Sequence, residues 1–130
     1  LHRLIRRQRQ MCIRDRVKPD YPIEELEPYI ADLDMVLVMS VFPGFSGQSY
    51  IEGSEMRVAC VAEMAKRLNP ELLIEVDGGI SAQRTAGLVC AQGADVLVAG
   101  SGVFAQSDPE KAIEILRNAG MAGRGATTSV

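Results

Sequence analysis

The stretch Leu73-Ile74-Glu75-Val76-Asp77-Gly78-Gly79-Ile80 decides how the chain is read. Leucine, isoleucine and valine, broken only by Glu75, run straight into an aspartate, and two glycines follow. A run so short and apolar suits a strand buried on both faces, as in a parallel sheet. In α/β proteins the chemistry gathers outside the carboxyl edge of the sheet, which is where Asp77 falls. Gly78 and Gly79 let the backbone turn sharply and approach a ligand with no Cβ in the way. Glu75 lies two residues back and shares the face of Asp77. Buried there, its carboxylate needs a partner, and a structural ion pair is expected.

The same pattern recurs on both sides. Residues 35–41, Met-Val-Leu-Val-Met-Ser-Val, form the longest apolar run and the strongest strand signal, ending in Phe42-Pro43-Gly44-Phe45-Ser46-Gly47-Gln48. Val58, Val61, Ala62, Ala65 and Leu68 keep helical spacing over residues 54–68, and Asn69-Pro70 stops that helix. After the Asp77 strand, Ser81 is the expected N-cap of a helix to about residue 91, with Gly93 closing it. Residues 96–99 read as a third buried strand, followed by Gly100-Ser101-Gly102. Ser107-Asp108-Pro109-Glu110 opens a last helix, expected to run to about Asn118 and end at Gly120. Upstream, Lys18 to Pro22 is a loop, and Ile23, Leu26 and Ile30 mark a short helix that Pro28 weakens.

Strand, glycine loop and helix thus repeat three times, which predicts an α/β protein with a parallel sheet. Sequential units of uniform composition favour a barrel segment over a doubly wound sheet. Three strands cannot close a barrel of eight. Residues 1–16 stand apart, with six arginines (Arg3, Arg6, Arg7, Arg9, Arg14, Arg16) and no apolar period. They read either as a basic arm or targeting segment, or as translated adaptor or vector sequence. The second reading is favoured, and it sets the segment, with the chain's single histidine His2, outside the fold. Residues 121–130, small and polar, read as a flexible tail.

Composition narrows the function classes. The chain is 47% hydrophobic with a formal net charge of −3, giving no basis for nucleic-acid or anionic-membrane binding. No apolar run is long enough to span a bilayer. Three scattered cysteines without a CxxC pair argue against a disulfide framework or zinc ribbon and fit a cytoplasmic setting. Cys60 and Cys90 are expected as small core residues. The glycine loops Gly44-Phe45-Ser46-Gly47 and Gly100-Ser101 can each offer backbone N–H groups to an anion such as phosphate. Asp77 is either a turn carboxylate or a general acid/base or metal ligand at the mouth of the site.

Three motifs taken together carry a resemblance. Val38 to Gln48 (VMSVFPGFSGQ), Glu75 to Ile80 (EVDGGI) and Gly93 to Ser101 (GADVLVAGS) followed by Val103-Phe104 resemble the ribulose-phosphate 3-epimerase family, in order and at matching spacing. The resemblance covers about residues 17–120 and implies part of a TIM barrel: the end of the fifth strand and strands six to eight with their helices. It implies a metal-dependent interconversion of D-ribulose 5-phosphate and D-xylulose 5-phosphate by proton transfer next to the ketone. Asp77 is implied as one acid/base residue, a substrate contact and a ligand of one divalent cation (Zn, Fe, Mn or Co). Gly44, Phe45, Ser46, Gly47, Gly78, Gly79, Gly100 and Ser101 are implied as substrate-binding residues, mainly at the phosphate, with Met39 as the floor of the site. The whole protein is implied to be a homo-oligomer.

The sequence departs from the family where Phe42 and Ser46 replace an expected asparagine and glycine. The second acid/base aspartate and the metal-binding histidines belong to earlier strands, and neither His2 nor Asp15 matches their motifs. The expectation is therefore a fragment without appreciable activity of its own. The alternatives are an epimerase of another ketose phosphate, such as a hexulose 6-phosphate, and a non-catalytic phosphosugar-binding or half-barrel assembly module.

Overall fold

The structure, a computed structural model, describes residues 14–44 and 48–128. Its centre is a sheet of four parallel strands in chain order: β1 (Arg14–Val17), β2 (Met35–Met39), β3 (Leu73–Asp77) and β4 (Val96–Val98). A 3-10 helix, Ile23–Asp32, joins β1 to β2. Four α-helices follow: α1 (Ser54–Leu68), α2 (Thr85–Ala91), the single turn α3 (Ser101–Phe104) and α4 (Pro109–Thr128). Such a parallel α/β sheet is consistent with a TIM-barrel family.

Register divides the sheet into two unlike faces. Val17, Val38 and Val76 are aligned across three strands and Val36 and Ile74 across two, and all five are buried. These β-branched side chains fill the pleat on the side where α1 lies against β2 and β3. The opposite face carries Arg16, Leu37, Glu75 and Val96 in one row, and Met39, Asp77 and Val98 in the next. There Leu73 and Val98 are exposed. Strand β4 has only three residues and is partly exposed, so the expected strand buried on both faces is corrected at this edge.

Helix α1 has the bounds its apolar spacing predicts, with Val58, Val61, Met64 and Ala65 buried. Asn69, 1% exposed, ties its end to the 3-10 helix by donating from Nδ2 to the carbonyls of Ile30 (3.0 Å) and Leu33 (2.8 Å). The 3-10 helix buries Ile23, Leu26 and Ile30 and contains Pro28 without breaking.

Four further expectations are corrected. The arginine-rich segment set outside the fold contributes its end to the sheet, because Arg14–Val17 pairs in parallel with β2 and Arg14 meets Glu75. Residues 121–128, read as a flexible tail, continue α4, whose helix passes through Gly120. A Cβ on Gly120 would lie 3.0 Å from Cys90 Sγ, and one on Gly123 would strike the backbone of Gly87. The glycines thus permit a close crossing of α4 over α2 rather than ending the helix. Ser81 is not an N-cap: α2 begins at Thr85, whose hydroxyl oxygen takes the Ser81 N–H at 2.7 Å. Cys60 is exposed rather than a core residue, whereas Cys90 is buried as expected.

Candidate active site

Because all four strands run the same way, the segments that leave them emerge at one end of the sheet. The turn after β3 and the turn after β4 meet there in a cavity of about 880 Å³, whose wall includes Asp77, Gly78, Gly79, Gly100 and Ser101. Five of the residues expected at the site are thereby brought together. Gln48, Gln83 and Gln106 add amide groups to the wall, and Ala112 and Ile115 of α4 add apolar surface. Met39 is the register partner of Asp77 and is buried beside it in the sheet, outside the cavity wall. Gly44, at φ 135°, stands on the exposed loop after β2, also outside the wall. Phe45, Ser46 and Gly47 lie outside the described residues.

The turn after Asp77 requires its glycines. Gly78 has φ 128° and Gly79 φ 66°, conformations that side-chain-bearing residues rarely adopt. A Cβ on Gly78 would lie 2.7 Å from Val41 Cγ2, and one on Gly79 would lie 2.6 Å from the Tyr50 nitrogen. The backbone therefore packs against the segment after β2 with no space between them. No backbone acceptor among the described residues takes the N–H of Gly78 or Gly79. At the start of α3, Ser101 and Gly102 likewise have first-turn N–H groups that no intrahelical carbonyl can reach. These backbone donors and the Ser101 hydroxyl suit an anionic ligand.

Beside the cavity, Tyr50 Oη donates to Glu55 Oε2 at 2.5 Å, and the Arg84 guanidinium lies 5.5 Å from the Tyr50 ring centre. Arg84 also holds Glu52 through two bonds of 2.7 and 3.1 Å. Burial, with the bond to Glu55, pushes the Tyr50 phenol up, and the same bond holds the Glu55 carboxyl below its usual range. This cluster joins the segment after β2 to the segment after β3.

Asp77 offers a carboxylate to a cation, but no group of three or more His, Cys, Asp or Glu side chains able to hold a metal occurs among the described residues. The described residues do not form a metal site by themselves. None of the described helices is long and apolar enough to cross a membrane.

The family model described as the ribulose-phosphate 3 epimerase family matches residues 1–104. The chain belongs to the ribulose-phosphate 3-epimerase family. The match includes the first sixteen residues that composition set apart. A ribulose-phosphate 3-epimerase of Bacillus subtilis is 42% identical over 120 residues, covering 90% of this chain and 55% of the relative. The Aquifex aeolicus protein of that name is 48% identical over 94 residues, or 72% of this chain and 42% of the relative. The Schizosaccharomyces pombe protein is 40% identical over 111 residues, 85% and 46% respectively. The chain thus spans about half the length of the curated epimerases it matches.

Within this epimerase-family segment, sequence reasoning overlooked two buried hydroxyls that hold the turn: Ser40 and Thr85. A serine at the close of the apolar run 35–41 was the available signal for the first. Thr85 was concealed inside a predicted helix, where a threonine attracts no notice.

Proposed function

We propose that the whole protein interconverts D-ribulose 5-phosphate and D-xylulose 5-phosphate, with this chain contributing the phosphate-binding turns and one of two acid/base groups. The observation that carries the reading is the convergence of Asp77, Gly78, Gly79, Gly100 and Ser101 on one cavity of about 880 Å³ at the carboxyl end of a parallel sheet. In that placement the backbone donors hold the substrate phosphate and the Asp77 carboxylate moves the proton on one face of the carbon next to the ketone. Inversion needs a second acid/base group on the other face. Only one candidate carboxylate, Asp77, lines the cavity among the described residues. In this reading the 130-residue chain has no appreciable epimerase activity of its own.

The four strands correspond, in this reading, to the end of strand five and strands six to eight of a TIM barrel. Asp77 would be one ligand of a single divalent cation in the whole protein, and that cation would supply electrostatic stabilisation of developing negative charge. Its other donors come from beyond the described residues. A cytoplasmic homo-oligomer completes the proposal. The names of the relatives favour a pentulose phosphate over a hexulose phosphate.

The test is turnover of ribulose 5-phosphate by the full-length protein, its Asp77→Asn variant and the 130-residue chain. Activity confined to the full-length protein and lost with Asp77→Asn supports the proposal. Turnover by the short chain would refute its division of labour, and an active Asp77→Asn variant would refute the role of the aspartate.

A further inference from the structure

The turn that carries Asp77 is held from beneath by two hydroxyls that no part of the proposed reaction uses. Ser40, fully buried, donates from Oγ to the Gly78 carbonyl at 2.5 Å and lies 3.1 Å from the Asp77 carbonyl, which also accepts its backbone N–H at 2.9 Å. Thr85, 2% exposed, donates from Oγ1 to the Gly79 carbonyl at 2.8 Å and accepts the Ser81 N–H at 2.7 Å. Each carbonyl from Asp77 to Gly79 is therefore engaged by one of these two residues.

The arrangement answers a physical difficulty. Two consecutive glycines have the widest conformational freedom of any dipeptide, so their own preferences cannot fix where the preceding carboxylate points. A buried hydroxyl is costly unless it is hydrogen-bonded, and an apolar side chain of similar size avoids that cost. Ser40 and Thr85 are nonetheless polar, and their bonds all go to the turn. With the carbonyls held below, the N–H groups of Gly78 and Gly79 have no backbone acceptor among the described residues and border the cavity.

We infer that Ser40 and Thr85 are positioning residues of the reaction, Ser40 setting the aim of the Asp77 carboxylate and Thr85 setting the Gly79–Ser81 backbone that meets the substrate phosphate. The division follows from which carbonyl each one holds. This inference rests on the assignment of Asp77 and its glycine turn to the reacting site.

The experiment uses the full-length protein with Ser40→Ala, Thr85→Val and Thr85→Ser, reading kcat and KM for ribulose 5-phosphate together with amide hydrogen exchange over residues 77–82. Ser40→Ala is expected to lower kcat by about tenfold with KM changed by less than about twofold. Thr85→Val, which keeps the shape and loses the hydroxyl, is expected to raise KM by about tenfold and to speed exchange of the Ser81 amide. Thr85→Ser restores both. Unchanged constants in folded variants overturn the inference, as do equal losses in kcat/KM that follow melting temperature alone. If the wild-type protein shows no turnover, the epimerase reading fails by itself, and exchange then decides: unaltered protection of Ser81 in Thr85→Val overturns the clamp.

Discussion

Arg14 Nη1 donates to Glu75 Oε2 at 3.1 Å, reaching across β2 to join the first strand to the third. The two ends are unequally solvated, with the arginine side chain 53% exposed and the glutamate side chain 11%. Removing the arginine leaves a mostly buried carboxylate without its cation, which costs more than the pair contributes. Arg14→Ala is expected to destabilise the folded chain by about 1–2 kcal/mol, and Glu75→Gln by less. Urea unfolding checks this as a lower midpoint at unchanged slope. Equal stability of Arg14→Ala and wild type would show that the strand needs no such anchor.

Gly79→Ala meets two penalties together, a φ of 66° and a contact of 2.6 Å with the Tyr50 nitrogen. Gly78→Ala meets the same pair at 128° and 2.7 Å. Each is expected to cost about 2 kcal/mol or more, since backbone strain and overpacking add. Gly100→Ala is the control, because nothing lies within 4 Å of its added Cβ. Thermal melts of the three variants check the ranking, and a Gly100→Ala loss equal to the others would contradict it.

Stability should depend on pH through Tyr50 and Glu55. The hydrogen bond from Tyr50 holds the Glu55 carboxyl below its usual range, so its contribution is present at neutral pH and lost as pH falls through the lowered folded-state value. Burial, reinforced by the Glu55 bond, raises the Tyr50 phenol, whose contribution is present below its ordinary value of 10.0 and lost as pH rises through the raised one. Tyr50→Phe removes both, and is expected to flatten the acid limb of a stability profile measured by denaturant midpoint. Parallel acid limbs in the two proteins would exclude the coupling.

The crossing of α4 over α2 distinguishes among the glycines of the last helix. Gly123→Ala places a methyl group against the Gly87 backbone and is expected to destabilise by about 1–3 kcal/mol. Gly125→Ala has nothing within 4 Å of the new Cβ and is expected to stabilise by up to about 1 kcal/mol through helix propensity. Melting temperatures of opposite sign check this contrast, whereas two losses of similar size would argue against a helix through Thr128.

The parts of the fold that obey one strong rule were legible beforehand. Helix α1 was predicted with its observed bounds because five apolar residues keep its spacing and Asn69-Pro70 ends it. The aspartate at the end of β3 and the glycines of two turns were legible for a similar reason: they interrupt apolar runs. Misreadings came where tertiary contacts reverse a local preference. Arg14 and Arg16 are poor strand formers by composition, yet pairing with β2 and the bond to Glu75 place their segment in the sheet. Gly120 is a frequent helix terminator, but here its missing Cβ accommodates Cys90. Ser81 has the chemistry of a cap, and Thr85 takes its N–H four residues on. No sequence rule reports where two buried hydroxyls send their protons, and so the hold of Ser40 and Thr85 on the turn emerged only from the geometry.

Spatial order in the sheet equals order along the chain, from β1 to β4. Among these four, each strand after β1 thus finds the edge it pairs with already made as it emerges from the ribosome. Sheets with shuffled order lack that property, since an early strand must stay unpaired until a distant one is synthesised. Vectorial synthesis can therefore extend this sheet one β-α unit at a time, from β1 to β4.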